Sequence, residues 1–440
     1  MAKNGIGFAL SLVNKFASSD LVDKLKIRKP AEKIAYASTR AGFQIASSAS
    51  QGLQQVRNML TNPFQLHKPE KSDLFDLSLS DEQQLIRDSL RRFAIEKIRT
   101  EAAKTNDNPT TLSNENTPLQ TAFNDLGIIE YAIPEAYGGL AQVASPVGNV
   151  LIAEDLSYGD MGIALSLMNN FCAANIISRW GTSDQQASYL PALLGENPLR
   201  ATLAVNEPAP LFNPMQMQTK AIPEDGGYRL IGKKSLVCQG MDAEIFIVAA
   251  SLPDGQSRLF LLDSSIDGLL RKPEPTMGIK AANTARLKLD NIFVPTHACI
   301  GNDNFNWQLC LDLGAVMWCG MAIGTSQAML DYVIPYCNER KAFGEPISHR
   351  QSVAFMIADM ATEVEAMRLL TYRAAARIEQ GLDSTRETYL AKLYCADKSV
   401  KIATDGVQLL GGHGFTKEHP VERWYRDLIA ITVQFNTLHA

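Results

Sequence analysis

Three regimes of apolar spacing follow one another along this chain. From Asp76 to about Arg200 the period is helical: in SLSDEQQLIRDSLRRFAIEKI, Leu85, Leu90 and Phe93 form a stripe. Ser80 stands before it as an N-cap, with Asp81 and Glu82 in the first turn. The loop IPEAYGGL breaks the pattern at Pro134 and Gly138-Gly139, and another helix is expected from near Ser145. Residues 201–300 change period. ATLAVNE, GYRLIGKKSLVCQG, EIFIVAASL, SRLFLLDSS and ARLKLDNIFVP are short strand-like runs parted by PEDGG and LPDGQ turns. After Asn304 the spacing predicts long helices over Trp307 to Glu339, His349 to Gly381 and Ser384 to Leu410. The expected class is α+β, with a helical domain at 76–200, a β-sandwich or barrel at 201–303 and a helical domain at 304–440.

Ahead of these lies an extension, residues 1–75. Phe8, Leu12, Val13 and Phe16 recur at helical spacing with Lys3 and Lys15 nearby, and Pro30 punctuates the run. TNPFQLHKPEKSD reads as a linker ending near Asp73. Two occupants suit such an amphipathic basic helix: a membrane surface, or a face of this or another protein. Charge sharpens the contrast. The whole chain carries a net charge of −5, yet residues 1–75 hold 11 Lys and Arg against 5 Asp and Glu. Only that segment could offer a basic face, so nucleic-acid binding is not expected. The seven cysteines (Cys172, Cys238, Cys299, Cys310, Cys319, Cys337, Cys395) stand singly, which points to a reducing compartment rather than a disulfide or zinc framework. The six histidines form no ligand cluster, and no metal is expected. No run reaches the ~18–20 apolar residues of a membrane span, and no secretory signal is expected. The expected location is the cytoplasm, with peripheral contact at the inner membrane through residues 1–60 as the alternative.

The motifs narrow the chemistry. IPEAYGG, AVNEP, GKKSLVCQG, MGIKAANTARLKLDNIFVP, ERKAFGEPI with Gln351, and QLLGGHGF followed by PVERWYRD occur in this order. In that order they resemble the acyl-CoA dehydrogenase family over roughly residues 76–437. The resemblance implies a C-terminal four-helix bundle, FAD, a homodimer or homotetramer, and α,β-dehydrogenation of a fatty acyl-CoA. Electrons would leave through an electron-transferring flavoprotein or a similar acceptor. By the same resemblance Arg340 and Phe343 would contact the FAD pyrophosphate across a subunit interface, with Gln351, Gln408, Gly411 and Gly412. Guanidinium geometry suits a phosphate; the alternative for Arg340 is pairing with Glu339. Val205, Asn206, Val237 and Cys238 would meet the flavin, and Asp312 the substrate side.

The chain also departs from the family pattern. NEPAPLFNP replaces the family's TEPxxGSD, and Cys238 stands where a hydroxyl is usual; a thiol is a weaker donor. In LCLDLGAVMWCG, Ala315 replaces an arginine expected near CoA, and Gly314 fills one of two positions for the family's glutamate base. The other base position falls at Gln434 or Phe435, and neither can take a proton. Such a base contributes about 10²–10⁴ in rate. Two readings follow: an active FAD-dependent acyl-CoA dehydrogenase, or a degenerate member serving as partner subunit or acyl-CoA-binding scaffold.

Overall fold

In the computed structural model the described residues are 79, 81–108, 117–141, 145–195, 197–301 and 304–433. All belong to the unit Pro63–Ala440. The expected amphipathic helix and linker of residues 1–75, the Ser80 cap, and Gln434 and Phe435 lie outside them.

Helices α1 (Asp81–Phe93), α2 (Arg99–Asp107), α3 (Pro118–Asn124), α4 (Pro146–Ser157), α5 (Met161–Leu167), α6 (Asn169–Trp180) and α7 (Ser183–Tyr189) form the first layer. Helix α4 starts where the sequence predicts. Ser145 caps it by accepting from Gly148 N at 3.0 Å, with Pro146 pre-set for the first turn. Its polar residues are not on a solvent face. Glu154 and Asp155 are buried and tie α4 to α1 through Arg87 (2.9 Å to Asp155), and Glu154 accepts from Tyr372 Oη at 2.7 Å.

The middle region contains strands β1 (Ala201–Ala204), β2 (Lys220–Glu224), β3 (Gly227–Val237), β4 (Ile245–Ser251), β5 (Ser257–Asp263), β6 (Leu269–Pro273), β7 (Ala285–Pro295) and β8 (Cys299–Ile300). They join in one sheet, ordered β6-β7-β3-β2-β4-β5-β8, with β1 parallel to β4. The sheet follows one hydrogen-bonded path that ends at β6 and β8, and β3, β4, β5 and β7 enclose a core between them, as the expected sandwich or barrel requires. Alternation along β4 and β5 divides their side chains between two cores. Phe246, Val248, Phe260 and Leu262 pack within the sheet's own core, while Ile245, Ile247, Leu259 and Leu261 join the helical core.

The last region packs α8 (Trp307–Glu339), α9 (Gln351–Glu379) and α10 (Thr385–Leu410) together, with a small hairpin of β9 (Lys341–Ala342) and β10 (Glu345–Pro346) between α8 and α9. Helix α11 (Val421–Leu428) is short, so the described bundle has three long helices, with α4 packed along α8. The small residues of GAVMWCGMAIG allow that approach: a Cβ on Gly324 would lie 1.9 Å from Glu154 O. Helix α8 is long and apolar enough to cross a membrane by length and composition, but 83% of its apolar window is buried in protein.

Candidate active site

The NEP and GKK motifs meet in space. Glu207 and Lys234, both buried, form an ion pair at 3.0 Å. Glu207 also accepts from Gln218 N and Thr219 N at 2.7 and 2.9 Å, and Lys234 Nζ donates to Val205 O at 3.0 Å. Burial opposes the charge on Glu207, but Lys234 and these N–H groups outweigh it and hold the carboxyl below its usual range. Burial pushes the Lys234 ammonium down to about 8, against the pull of Glu207. The pair is ionised at neutral pH and pins the segment after β1 to β3.

Strand β3 then slips register between Lys234 and Val237, where Leu236 takes φ 55°. Glu274 holds this bulge by accepting from Ser235 Oγ and Leu236 N, each at 2.9 Å, and it pairs with Arg286. The bulge leaves Ser235, Leu236 and Cys238 lining a cavity and sends Val237 into the sheet's core. Val237, an expected flavin contact, faces away from the site.

That cavity, of about 120 Å³, has Val205, Asn206 and Cys238 in its wall, as expected of the flavin strands. Successive turns of α6 (Asn169, Cys172, Asn175, Arg179) and of α8 (Cys310, Gly314, Met317, Met321) complete it. Asn169 Nδ2 lies 3.3 Å from Cys238 Sγ, and Thr202 Oγ1 donates to Cys238 O at 2.6 Å. Burial pushes the thiols of Cys172, Cys238 and Cys310 up to about 12, so all three stay protonated at neutral pH. Among the described residues no carboxylate lines the cavity. Gly314 does line it, but Asp312 does not. The Asp312 carboxylate is buried and accepts from Ser384 Oγ and Gln308 Nε2, each at 2.9 Å, which anchors the start of α10. The expected substrate contact at Asp312 is a helix–helix tie.

A second, open cleft gathers Arg340, Phe343, Gln408, Gly411 and Gly412, with Arg350, Ser352 and His413. Among the described residues Arg340 makes no ion pair with Glu339 and lines the cleft. Gly411 ends α10 at φ 57°, and a Cβ there or on Gly412 would meet nothing within 4 Å, so backbone floors an open space. No side chain caps α9, and its first-turn N–H groups lack intrahelical acceptors beside the cleft that Ser352 and Val353 line. Gln351 opens this helix but is not among the lining residues. Cleft and cavity share no lining residue.

Comparison with known proteins matches three family models: acyl-CoA dehydrogenase N-terminal domain over residues 80–197, middle domain over 202–292 and C-terminal domain over 306–433. An acyl-CoA dehydrogenase of Bacillus subtilis is 31% identical over 364 residues, covering 80% of this chain and 93% of that one. This chain belongs to the acyl-CoA dehydrogenase family. Among solved structures, butyryl-CoA dehydrogenase from Megasphaera elsdenii is similar at TM-score 0.74 and 27% identity, covering 83% of this chain and 97% of that one. The FAD complex of PigA is similar at TM-score 0.74 and 26% identity, covering 83% and 96%.

Acyl-CoA dehydrogenases are FAD-binding oxidoreductases acting on the CH–CH bond of acyl-CoA, and the residues here fit that cofactor. The Arg340 guanidinium, without an ion pair among the described residues, the helix N-terminus and the glycine floor in the cleft suit a pyrophosphate; the bulged strand suits a ring. Within this acyl-CoA dehydrogenase the YRD motif serves packing. Asp427 Oδ1 accepts from Ile279 N at 2.5 Å, and Arg426 Nη1 donates to Met277 O at 2.8 Å. A Cβ on Gly278 would fall 2.0 Å from Arg426 O, so MGIK and YRD, distant in sequence, interlock. Sequence reasoning missed Asn149, Asn169 and Asn175. The recurrence of 169, 172, 175 and 179 on one face of α6 is the signal that could have found the last two.

Proposed function

We propose that this protein is an FAD-dependent acyl-CoA dehydrogenase that takes compact acyl thioesters. The observation that carries this reading is the largely apolar cavity between the flavin strands and α8. Its ~120 Å³ is on the scale of apolar cavities that take one ring-sized guest. FAD, when bound, supplies the hydride acceptor. The chain's own part is to hold Cys238 as a neutral thiol whose sulfur accepts from Asn169 Nδ2, to fix Val205 and Asn206 through the Glu207–Lys234 pair, and to wall the cavity with α6 and α8. The cleft around Arg340 and the cavity would serve one cofactor only across two protomers, so the working unit is a homo-oligomer. Electrons would pass to an electron-transferring flavoprotein or a similar acceptor. Residues 1–60 would supply any membrane contact, which liposome co-sedimentation with and without them tests.

Purified protein should be yellow, and anaerobic titration with short acyl-CoAs should perturb and then bleach the flavin. Colourless protein that cannot be reconstituted with FAD would end this reading. One observation favours the second reading, a binding subunit without turnover: no carboxylate lines the described cavity, and its three thiols cannot accept a proton at neutral pH. Spectral perturbation without bleaching would select it.

A further inference from the structure

The cavity carries more amide than a plain acyl tail requires. At the flavin-strand end, Asn169 is engaged with Cys238. Six residues further along α6, about 9 Å at the helical rise, Asn175 meets Asn149 of α4. Their orientation is fixed by one group that can only accept. Asn175 Nδ2 donates to Phe171 O at 2.9 Å, so Asn175 Oδ1 is the atom turned to Asn149, whose Nδ2 donates to it at 3.0 Å. Asn149 Oδ1 is then left as an acceptor with no donor among the described residues. Yet Asn149 is only 8% exposed and lines the cavity. That oxygen faces the space of the cavity, where a bound group can supply the donor it lacks within the protein.

We infer that Asn149 reads a hydrogen-bond donor, a hydroxyl or N–H, carried by the acyl group of the thioester. Preferred substrates are compact acyl groups bearing such a donor, not plain saturated chains. This rests on the acyl-thioester reading of the site. A carboxylate tail is the competing chemistry, since Arg179 stands on the same face of α6 one turn beyond Asn175. Asn149 is a neutral acceptor, however, and would repel a carboxylate.

The test uses the FAD-loaded full chain and CoA thioesters of increasing chain length. At each length an unsubstituted, a hydroxylated and a carboxylated acyl group are compared, with binding read from flavin absorbance under anaerobic conditions. At one length the hydroxylated form should bind roughly 3- to 10-fold tighter than the unsubstituted form, as one net hydrogen bond gives. Asn149→Leu should abolish or invert that ratio. Asn149→Asp should retain it, because a buried carboxyl stays protonated, donates to Asn175 Oδ1 and keeps an acceptor oxygen. Equal or weaker binding of the hydroxylated form at every length overturns the inference. So does preference for the carboxylated form, which would transfer the role to Arg179. If no thioester perturbs the flavin, the acyl-thioester reading itself falls and takes this one with it.

Discussion

A carboxylate at position 314 would change the chemistry of the cavity more than any other single side chain. Gly314 lines it from α8, a rigid and buried helix, while every thiol around it is held neutral. Gly314→Glu should therefore raise the rate of flavin bleaching by acyl-CoA about 10²–10⁴-fold, the usual contribution of a positioned base. A variant that binds thioester as before but bleaches no faster would place the reacting carbon elsewhere. Lys234 is the opposite case, a residue whose loss leaves an unpaired charge. Lys234→Met strands Glu207 in the interior and should cost about 3–5 kcal/mol in thermal or urea unfolding. At this scale the sequence was partly legible. Val205, Asn206 and Cys238 reach the cavity, and Arg340, Phe343, Gln408, Gly411 and Gly412 share the cleft. Val237 and Asp312 line neither the described cavity nor the cleft. A strand's alternation assumes an unbroken ladder, and the bulge at Leu236 reverses which neighbours face the cavity. Asp312 lies on the far side of α8 from Gly314, a distinction that helical phase carries only once the partner helices are known.

Among the elements, long helices were the most legible. Helices α8, α9 and α10 begin and end within two residues of the expected positions, because apolar stripes are local signals. Strands β2 and β6 went unseen for an equally physical reason. Each is largely solvent-facing, with Lys, Pro, Glu and Arg in place of an alternating apolar face. The interlock of α11 with the Ile279 segment carries a pH signature. Burial, and then the charge of Asp160, raise the Asp427 carboxyl to about 7, although Ile279 N and Arg423 pull the other way. Its folded value lies above the unfolded one, so its contribution to stability is present below about pH 4 and is lost as pH rises through 7. Asp427→Asn keeps the acceptor for Ile279 N. The variant should melt higher than the parent above pH 7 and show no advantage below pH 4. An advantage that does not change with pH would mean that Asp427 is not the titrating group.

For the whole molecule, three regions cooperate to frame one cavity. The sheet supplies a bulged strand, the first helical layer supplies α4 and α6, and the last supplies α8. Burying both faces of β4 and β5 is what joins these regions into one interior, and the sequence announced it through nearly continuous apolar runs. The separation of cavity and cleft reaches beyond geometry. If two protomers must each lend half of a flavin's surroundings, occupancy obeys mass action in protein concentration. Dilution should shed yellow colour and lower the melting temperature together, added FAD should restore both, and Arg340→Ala should move the whole curve to higher protein concentration. The colour of a sample would then work as a gauge of its assembly.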